Sequence, residues 1–428
     1  MTDASNPMLM QINPKTQTVS LNIRDKDFYN NPYPYYTQLQ RQCPMFYWQE
    51  HGLWTFVNHQ SVSSLLRDRR FGRQIEHLKS REELGLPAIP PNLKPFFDVD
   101  RHSMLGLEPP SHTRLRGLVQ KGFMAREIER LRGRIEELCH QLIDRIEDNG
   151  GTSNFDFKES YATPIPVIVI AEMLGVPDAM APELLRWSHN MIKMYEMQRT
   201  PEMEAAAVES SREFVNYLRS LVQERRRQPQ PDLISKLIEV ESAGDRLSED
   251  ELIANCILLL NAGHEATVNV LGNGMVALLQ HPEQLTLWRN HGPGDTSFSK
   301  AAVEELLRFD SPLHQFNRWV LEPLEIGGQH FETGQEIALL LGAANRDPAV
   351  FKNPDILQLD RNPNPHVSFG GGIHYCLGAP LARLEIQISI PIFLQRLPRV
   401  QLETTPTYSN NYHFHGLESI TMVTGNTN

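Results

Sequence analysis

At 428 residues, with 40% hydrophobic and 22% charged side chains, the chain holds enough apolar mass for a sizeable core, which excludes wholesale disorder. Forty-one basic against 52 acidic residues leave a formal charge of −11, so there is no global electrostatic footprint for nucleic acid or anionic lipid. No apolar run approaches the roughly 20 residues of a membrane helix, and residues 1–21 lack the basic and apolar regions of a secretory leader. A cytoplasmic protein without a membrane anchor is expected.

Residues 1–20 read as a loose, flexible tail. Met45–Trp48 and 53–57, joined by Gln49-Glu50-His51-Gly52, read as a hairpin. Residues 84–110 are proline-rich and read as irregular. Ile128, Leu131, Ile135, Leu138, Leu142 and Ile146 recur at spacings of three and four, which predicts an amphipathic helix over 125–149 closed by Gly150-Gly151. Ser248 and Glu251 form a capping box that opens a second helix, running to Gln280 before His281-Pro282. At 1.5 Å per residue it is about 48 Å long. Its middle, Ile257 to Leu260, is apolar on every side, so this helix threads the core instead of lying upon it. Helices are predicted over 299–309 and 380–397, with short strands over 319–326 and 336–341 around a glycine-rich turn. The fold class is mainly α with small β regions. Length alone, at about 150 residues per domain, suggests two or three domains. With no repeat, low-complexity tract or linker, 21–428 reads as a single domain.

The four cysteines, Cys43, Cys139, Cys256 and Cys376, are too widely spaced for a zinc pair or a disulfide framework and read as reduced thiols. Cys376 stands in Phe369-Gly370-Gly371-Gly372-Ile373-His374-Tyr375-Cys376-Leu377-Gly378, a glycine-rich loop feeding a helix. The free amides and positive partial charge of a helix start stabilise a thiolate there. The glycines let a flat, bulky group approach the backbone. On the residues alone, a turn with an ordinary buried cysteine, or a Cys376/His374 nucleophile pair, are the other readings.

This loop resembles the haem-binding signature of the cytochrome P-450 family, Phe-x-x-Gly-x-x-x-Cys-x-Gly. The resemblance implies the cytochrome P-450 fold, with haem b (iron protoporphyrin IX) between the long central helix and the Cys-bearing loop. Cys376 would be the thiolate ligand of the metal, with Phe369 beside the sulfur and Gly370 and Gly378 in the loop that receives the cofactor. Glu305-Leu306-Leu307-Arg308 resembles the family's Glu-x-x-Arg, which shapes the region beneath the haem. Taken alone it is an ordinary i,i+3 ion pair. The stretch from Ala344 to Arg361 resembles the family's meander. Haem propionates need cationic or hydrogen-bonding partners. His112-Thr113-Arg114-Leu115-Arg116 resembles the segment whose His and second Arg bind one of them, which assigns His112 and Arg116, and Arg318 and His366 match further propionate contacts.

On the oxygen side, Ala262-Gly263-His264-Glu265-Ala266-Thr267 resembles (Ala/Gly)-Gly-x-(Asp/Glu)-Thr. A mid-helix glycine costs about 1 kcal/mol relative to alanine. In the family Gly263 and Ala262 would leave room for dioxygen, while packing on a neighbouring helix is the alternative. Glu265 falls on the acid position, but Ala266 stands where the family places the threonine that helps deliver protons. Thr267, one residue on, is rotated about 100° around the helix. An ordered water, a substrate hydroxyl or a repositioned Thr267 could take over, and the substrate hydroxyl is the leading expectation.

The resemblance implies a monooxygenase acting on a small hydrophobic substrate with O2, in secondary or lipid metabolism. It further implies a monomer, served by a separate ferredoxin and ferredoxin reductase that dock on the Cys376 side. The rivals are a haem-thiolate ligand sensor or recruitment module, and a peroxide-driven fatty-acid hydroxylase. Substrate contacts are expected from 84–104, from Met191, Met194, Tyr195 and Met197, from Leu259 and Ala262, from 313–316 and near Phe414.

Overall fold

Helices account for most of the chain in the computed structural model, which describes residues 9–148, 154–195, 199–241 and 247–425. Those that position the site are α1 (Ser111–Val119), α2 (Arg132–Asp148), α3 (Pro164–Leu174), α4 (Ala181–Ile192), α5 (Pro201–Arg227), α6 (Glu249–Gln280), α7 (Thr296–Phe309) and α8 (Ala379–Arg396). Helix α6 begins where its capping residues demand. Glu251 donates its N–H to Ser248 Oγ at 3.2 Å, and Ser248 returns its own N–H to Glu251 Oε2 at 2.9 Å. The all-round apolar stretch is explained by its surroundings: α6 packs against α3, α4, α5, α7 and α8, and Ile257, Leu259 and Leu260 are buried. Among the described residues no helix is long and apolar enough to cross a membrane.

A seven-stranded sheet flanks this helical body. Its strands are β1 (Met10–Asn13), β2 (Thr18–Leu21), β3 (Met45–Trp48), β4 (Leu53–Phe56), β5 (Phe71–Gly72), β6 (Gln315–Val320) and β7 (Glu336–Leu340), in the order β1-β2-β3-β4-β7-β6-β5. The predicted hairpin is present, with Met45 opposite Phe56 and Trp48 opposite Leu53.

Four expectations need correction. Residues 10–20 are not a loose tail: β1 pairs with β2, and β2 runs parallel to β3, burying Val19 and Leu21 in a cluster with Phe28, Tyr36 and Trp48. The helix expected over 125–149 is two, Ala125–Glu129 and α2, because a turn at Arg130 and Leu131 breaks the chain while both apolar faces keep facing the core. Its expected stop, Gly150-Gly151, lies outside the described residues. The proline-rich stretch is only partly irregular, since Lys94–Asp100 forms a helix that buries Phe96 and Val99. The strand expected from Trp319 begins four residues earlier and ends at Val320, so that its backbone can pair along β7 from Gln315 to Trp319.

Candidate active site

Cys376 is exposed, whereas Cys43, Cys139 and Cys256 are buried. The loop that presents it needs its glycines. Gly370 and Gly372 adopt φ of +71° and +66°, and a Cβ on Gly372 would stand 2.5 Å from the Leu66 carbonyl oxygen. The Cys376 N–H closes the loop on Phe369 O at 3.0 Å, and Gly378 caps α8. Protein crowded around the sulfur pushes the thiol pKa up. The amides of Gly378 and Ala379, with Arg116 and Arg383 nearby, pull it back toward the thiolate. At Cys139 and Cys256 burial prevails and pushes both up to about 12, in spite of a hydrogen bond from Tyr161 at Cys139. Phe369 lies beneath the Arg383 guanidinium, 4.4 Å from it to the ring centroid.

The region under the loop is held by one carboxylate. Glu305 takes a two-pronged pair from Arg308, Nε to Oε2 at 2.7 Å and Nη2 to Oε1 at 2.8 Å, and both residues are fully buried. Arg361 Nε adds contacts of 3.1 and 3.0 Å to the same carboxylate, and the Gln358 amide donates to it at 2.9 Å. Arg308 Nη1 donates to the carbonyls of Asn345 and Pro354, and Nη2 also reaches that of Ile356. This ties α7 to the 345–361 segment, and the shared anion makes three elements rigid together.

Histidines and arginines gather between this loop and α1. The rings of His112 and His374 lie 4.4 Å apart, with His112 Nδ1 and His374 Nε2 both buried and without a hydrogen bond. His374 Nε2 approaches Glu108 Oε1 at 3.5 Å, while the Arg73 amide donates to the same oxygen at 2.5 Å. Burial, then His374 and Arg116, lower the His112 pKa to about 4. Burial and neighbouring Arg73 bring Arg318, on β6, down to about 9. Orphaned ring nitrogens and a desolvated guanidinium at one place suit a buried anion. Arg116 stays at the site, but its Nη2 is bonded to the Tyr375 carbonyl at 2.7 Å. His366 is committed elsewhere: its Nε2 meets Glu304 Oε2 at 2.9 Å, and Glu304 is also held by Arg383. Of the two histidines near the loop, it is His374 and not His366 that stands beside His112.

Above α6 lies a cavity of ≈ 340 Å³. Ile257, Leu258, Asn261 and Ala262 border it from the helix, facing Phe96, Val99, Met191 and Phe414. Its other margin is polar, with Arg73, Asp100, Gln315, Asn317, Asn411 and His413. Tyr195 also borders it, donating its hydroxyl to Asp100 Oδ1 at 2.7 Å. Of the expected contacts, Met194 and Leu259 are buried in the core instead, and Met197 lies outside the described residues. Ala262 is open to the cavity, whereas Gly263 does not border it and faces α3. A Cβ there would stand 3.0 Å from Ile170 Cγ1 of α3, a tight contact that gives the glycine a packing role. Ala266 is half-buried, and Thr267, 5% exposed, does not line the cavity. Glu265 turns toward α4, with His189 Nε2 3.6 Å from Oε2.

The cytochrome P450 family model matches residues 90–286 and 295–414, a span that holds the Cys376 loop, the Glu305–Arg308 pair and His112. The chain belongs to the cytochrome P450 family. Among its relatives, the polyketide biosynthesis cytochrome P450 PksS of Bacillus subtilis is 36% identical over 405 residues, covering 92% of this chain and 96% of that protein. The 6-deoxyerythronolide B hydroxylase of Saccharopolyspora erythraea is 34% identical, covering 90% or so of each chain, at 89% and 92%. The crystal structure of P450BioI in complex with hexadec-9Z-enoic acid ligated acyl carrier protein superposes with a TM-score of 0.84 at 34% identity, over 93% of this chain and 99% of that one.

As a cytochrome P450, the protein is a haem-b monooxygenase. The residues present fit the cofactor: Cys376 would hold the iron, and His112, His374, Arg116 and Arg318 would face the propionates. When bound, haem supplies the reductive activation of dioxygen, and the chain supplies ligand, orientation and protons. His374 and Glu108 were missed from sequence. The signal for His374 was its place inside the signature, two residues before the cysteine; Glu108 had none beyond preceding His112 by four.

Proposed function

We propose that this P450 inserts one oxygen atom into a C–H or C=C bond of a largely apolar but oxygenated biosynthetic intermediate, polyketide-like in character. The observation that carries this reading is the cavity itself: an apolar wall over Ala262 opposite a margin of amides, Arg73 and His413. A pocket of that size takes a drug-sized ligand and orients it through a few polar groups. Relatives named for polyketide biosynthesis and 6-deoxyerythronolide B hydroxylation support the same class. An acyl chain delivered on a carrier protein, as bound by P450BioI, is the nearest rival substrate form.

Proton delivery is the second half of the proposal. Position 266 carries no hydroxyl, and Thr267 is buried and does not border the cavity. Asn261 borders the cavity next to Ala262, and its Oδ1 is buried without a partner. A substrate hydroxyl, or a water held by Asn261 Oδ1, then relays the proton that Glu265 brings from the protein surface. Electrons come from a separate ferredoxin and its reductase, docking on the face where Tyr375 is exposed beside Cys376.

The test is a compound screen on the holoenzyme that reads ligand entry as a Soret shift, followed by turnover of the hits with a surrogate ferredoxin system. Oxygenated polyketide-like ligands should shift the band and be hydroxylated or epoxidised. If only free fatty acids bind and turn over, the substrate class is wrong.

A further inference from the structure

A grouping of side chains on the far side of Glu265 has no part in holding haem. His189 of α4, His264 and Glu265 of α6 each bring one ligand atom to a common point, all within 4.8 Å of one another. Glu265 Oε2 stands 3.6 Å from His189 Nε2 and 3.9 Å from His264 Nε2. Those gaps are too long for hydrogen bonds. They are close to the separation of two ligands on one tetrahedral cation, about 3.4 Å for bonds of 2.0–2.1 Å.

His264 supplies the second observation. It is 3% exposed, and its Nδ1 lies 2.8 Å from the Leu260 carbonyl oxygen. A carbonyl only accepts, so Nδ1 carries the proton and Nε2 keeps a bare lone pair. That Nε2 is buried, unpartnered and aimed at the grouping. A ring nitrogen bonded to a backbone carbonyl with the other directed at a shared point is the arrangement that orients metal-binding histidines. His189 is 53% exposed on its side chain and Glu265 24%, which gives a cation a route from solvent and leaves positions for water. A second grouping, Asp310, His314 and His415, lacks that route, and its carboxylate already accepts from the hydroxyls of Tyr33 and Tyr408.

We propose that His189, His264 and Glu265 form an inhibitory site for one first-row divalent cation of the zinc type. Two imidazoles and one carboxylate are a donor set that zinc takes readily. No covalent or redox step is involved: the cation displaces a proton at most and occupies the Glu265 carboxylate. The inhibitory half rests on the reading of Glu265 as the proton carrier, and the binding half does not.

The experiment is equilibrium dialysis of the holoenzyme against zinc chloride with metal analysis, run on the wild type, His189→Ala and His264→Ala. One zinc per chain is expected above the level bound by the variants, with affinity falling at least tenfold in each. His189 is exposed, so His189→Ala keeps the test valid if His264→Ala does not fold. Wild-type binding no tighter than that of His189→Ala overturns the site. Product formed per reducing equivalent is then measured with and without zinc. Loss of coupling in the wild type and not in His189→Ala supports inhibition. Zinc bound with coupling unchanged overturns the inhibitory half and counts against Glu265 as proton carrier, while leaving the site itself standing.

Discussion

Gly263 of the central helix is pressed against Ile170: a methyl group added to the glycine would lie 3.0 Å from Ile170 Cγ1 and 3.4 Å from its Cβ. Alanine at position 263 would gain about 1 kcal/mol of helix propensity, but overpacking at such a contact costs about 1–3 kcal/mol. Gly263→Ala is therefore expected to destabilise the protein, and the same change made in an Ile170→Ala background to stabilise it. Denaturant midpoints for the four proteins of this cycle measure the reversal. If the glycine instead serves dioxygen, the sign will not depend on residue 170 and the loss will appear in coupling.

Glu305 neutralises two buried arginines at once. Removing it leaves Arg308 and Arg361 uncompensated, a change that typically costs about 3–5 kcal/mol. Glu305→Ala should yield little soluble protein and little incorporated haem, with Arg361→Ala milder than Arg308→Ala because Arg308 grips both carboxylate oxygens through two nitrogens and Arg361 through Nε alone, while both also hold backbone carbonyls. Haem-to-protein ratio in purified samples checks the order.

Thr267 is buried away from the cavity, so Thr267→Ala should leave product per reducing equivalent within about twofold of wild type. Asn261→Ala removes the unpartnered Oδ1 beside Ala262 and should lower coupling if a water is the relay. Ala266→Thr should make coupling less dependent on the substrate's hydroxyl groups, read by comparing a substrate with its deoxy analogue. Abolition of coupling by Thr267→Ala alone would refute the substrate or water route.

Acid should destabilise the haem-free protein in a defined window. An unfolded histidine takes up a proton near pH 6.5. Burial, with His374 and Arg116, holds His112 neutral to about pH 4, burial with Arg73 does the same for His413, and burial alone holds His415 neutral to about 3. Between pH 6.5 and 4 the unfolded chain binds more protons, so stability falls as pH falls, by at most about 1.4 kcal/mol per pH unit for each histidine. Urea midpoints across that range should slope accordingly, and His112→Asn should flatten the slope by one histidine's share. An unchanged slope in that variant would show that His112 titrates normally.

Local chemistry made much of this molecule legible in its sequence. The Ser248 and Glu251 capping box announces the long helix, and the glycines around Cys376 announce a loop that needs left-handed backbone. Long-range choices were not legible. Nothing in Val19 or Leu21 says that they will pair beside Trp48, and continuous apolar spacing through Leu131 hides the turn that splits one helix into two. Gly263 was visible as an anomaly, but its cause, Ile170, lies 93 positions away. His366 precedes the signature by three residues and His374 lies within it, and nothing in either neighbourhood says that His366 will meet Glu304 while His374 lies beside His112.

The central claim is that Cys376 holds a haem at which oxygen from O2 enters an organic substrate. Turnover of a screened ligand under isotopically labelled dioxygen, with a ferredoxin system, tests it most directly. The product should carry one labelled oxygen atom, and Cys376→Ala should form none. Product without label, or labelled product undiminished in Cys376→Ala, would contradict it.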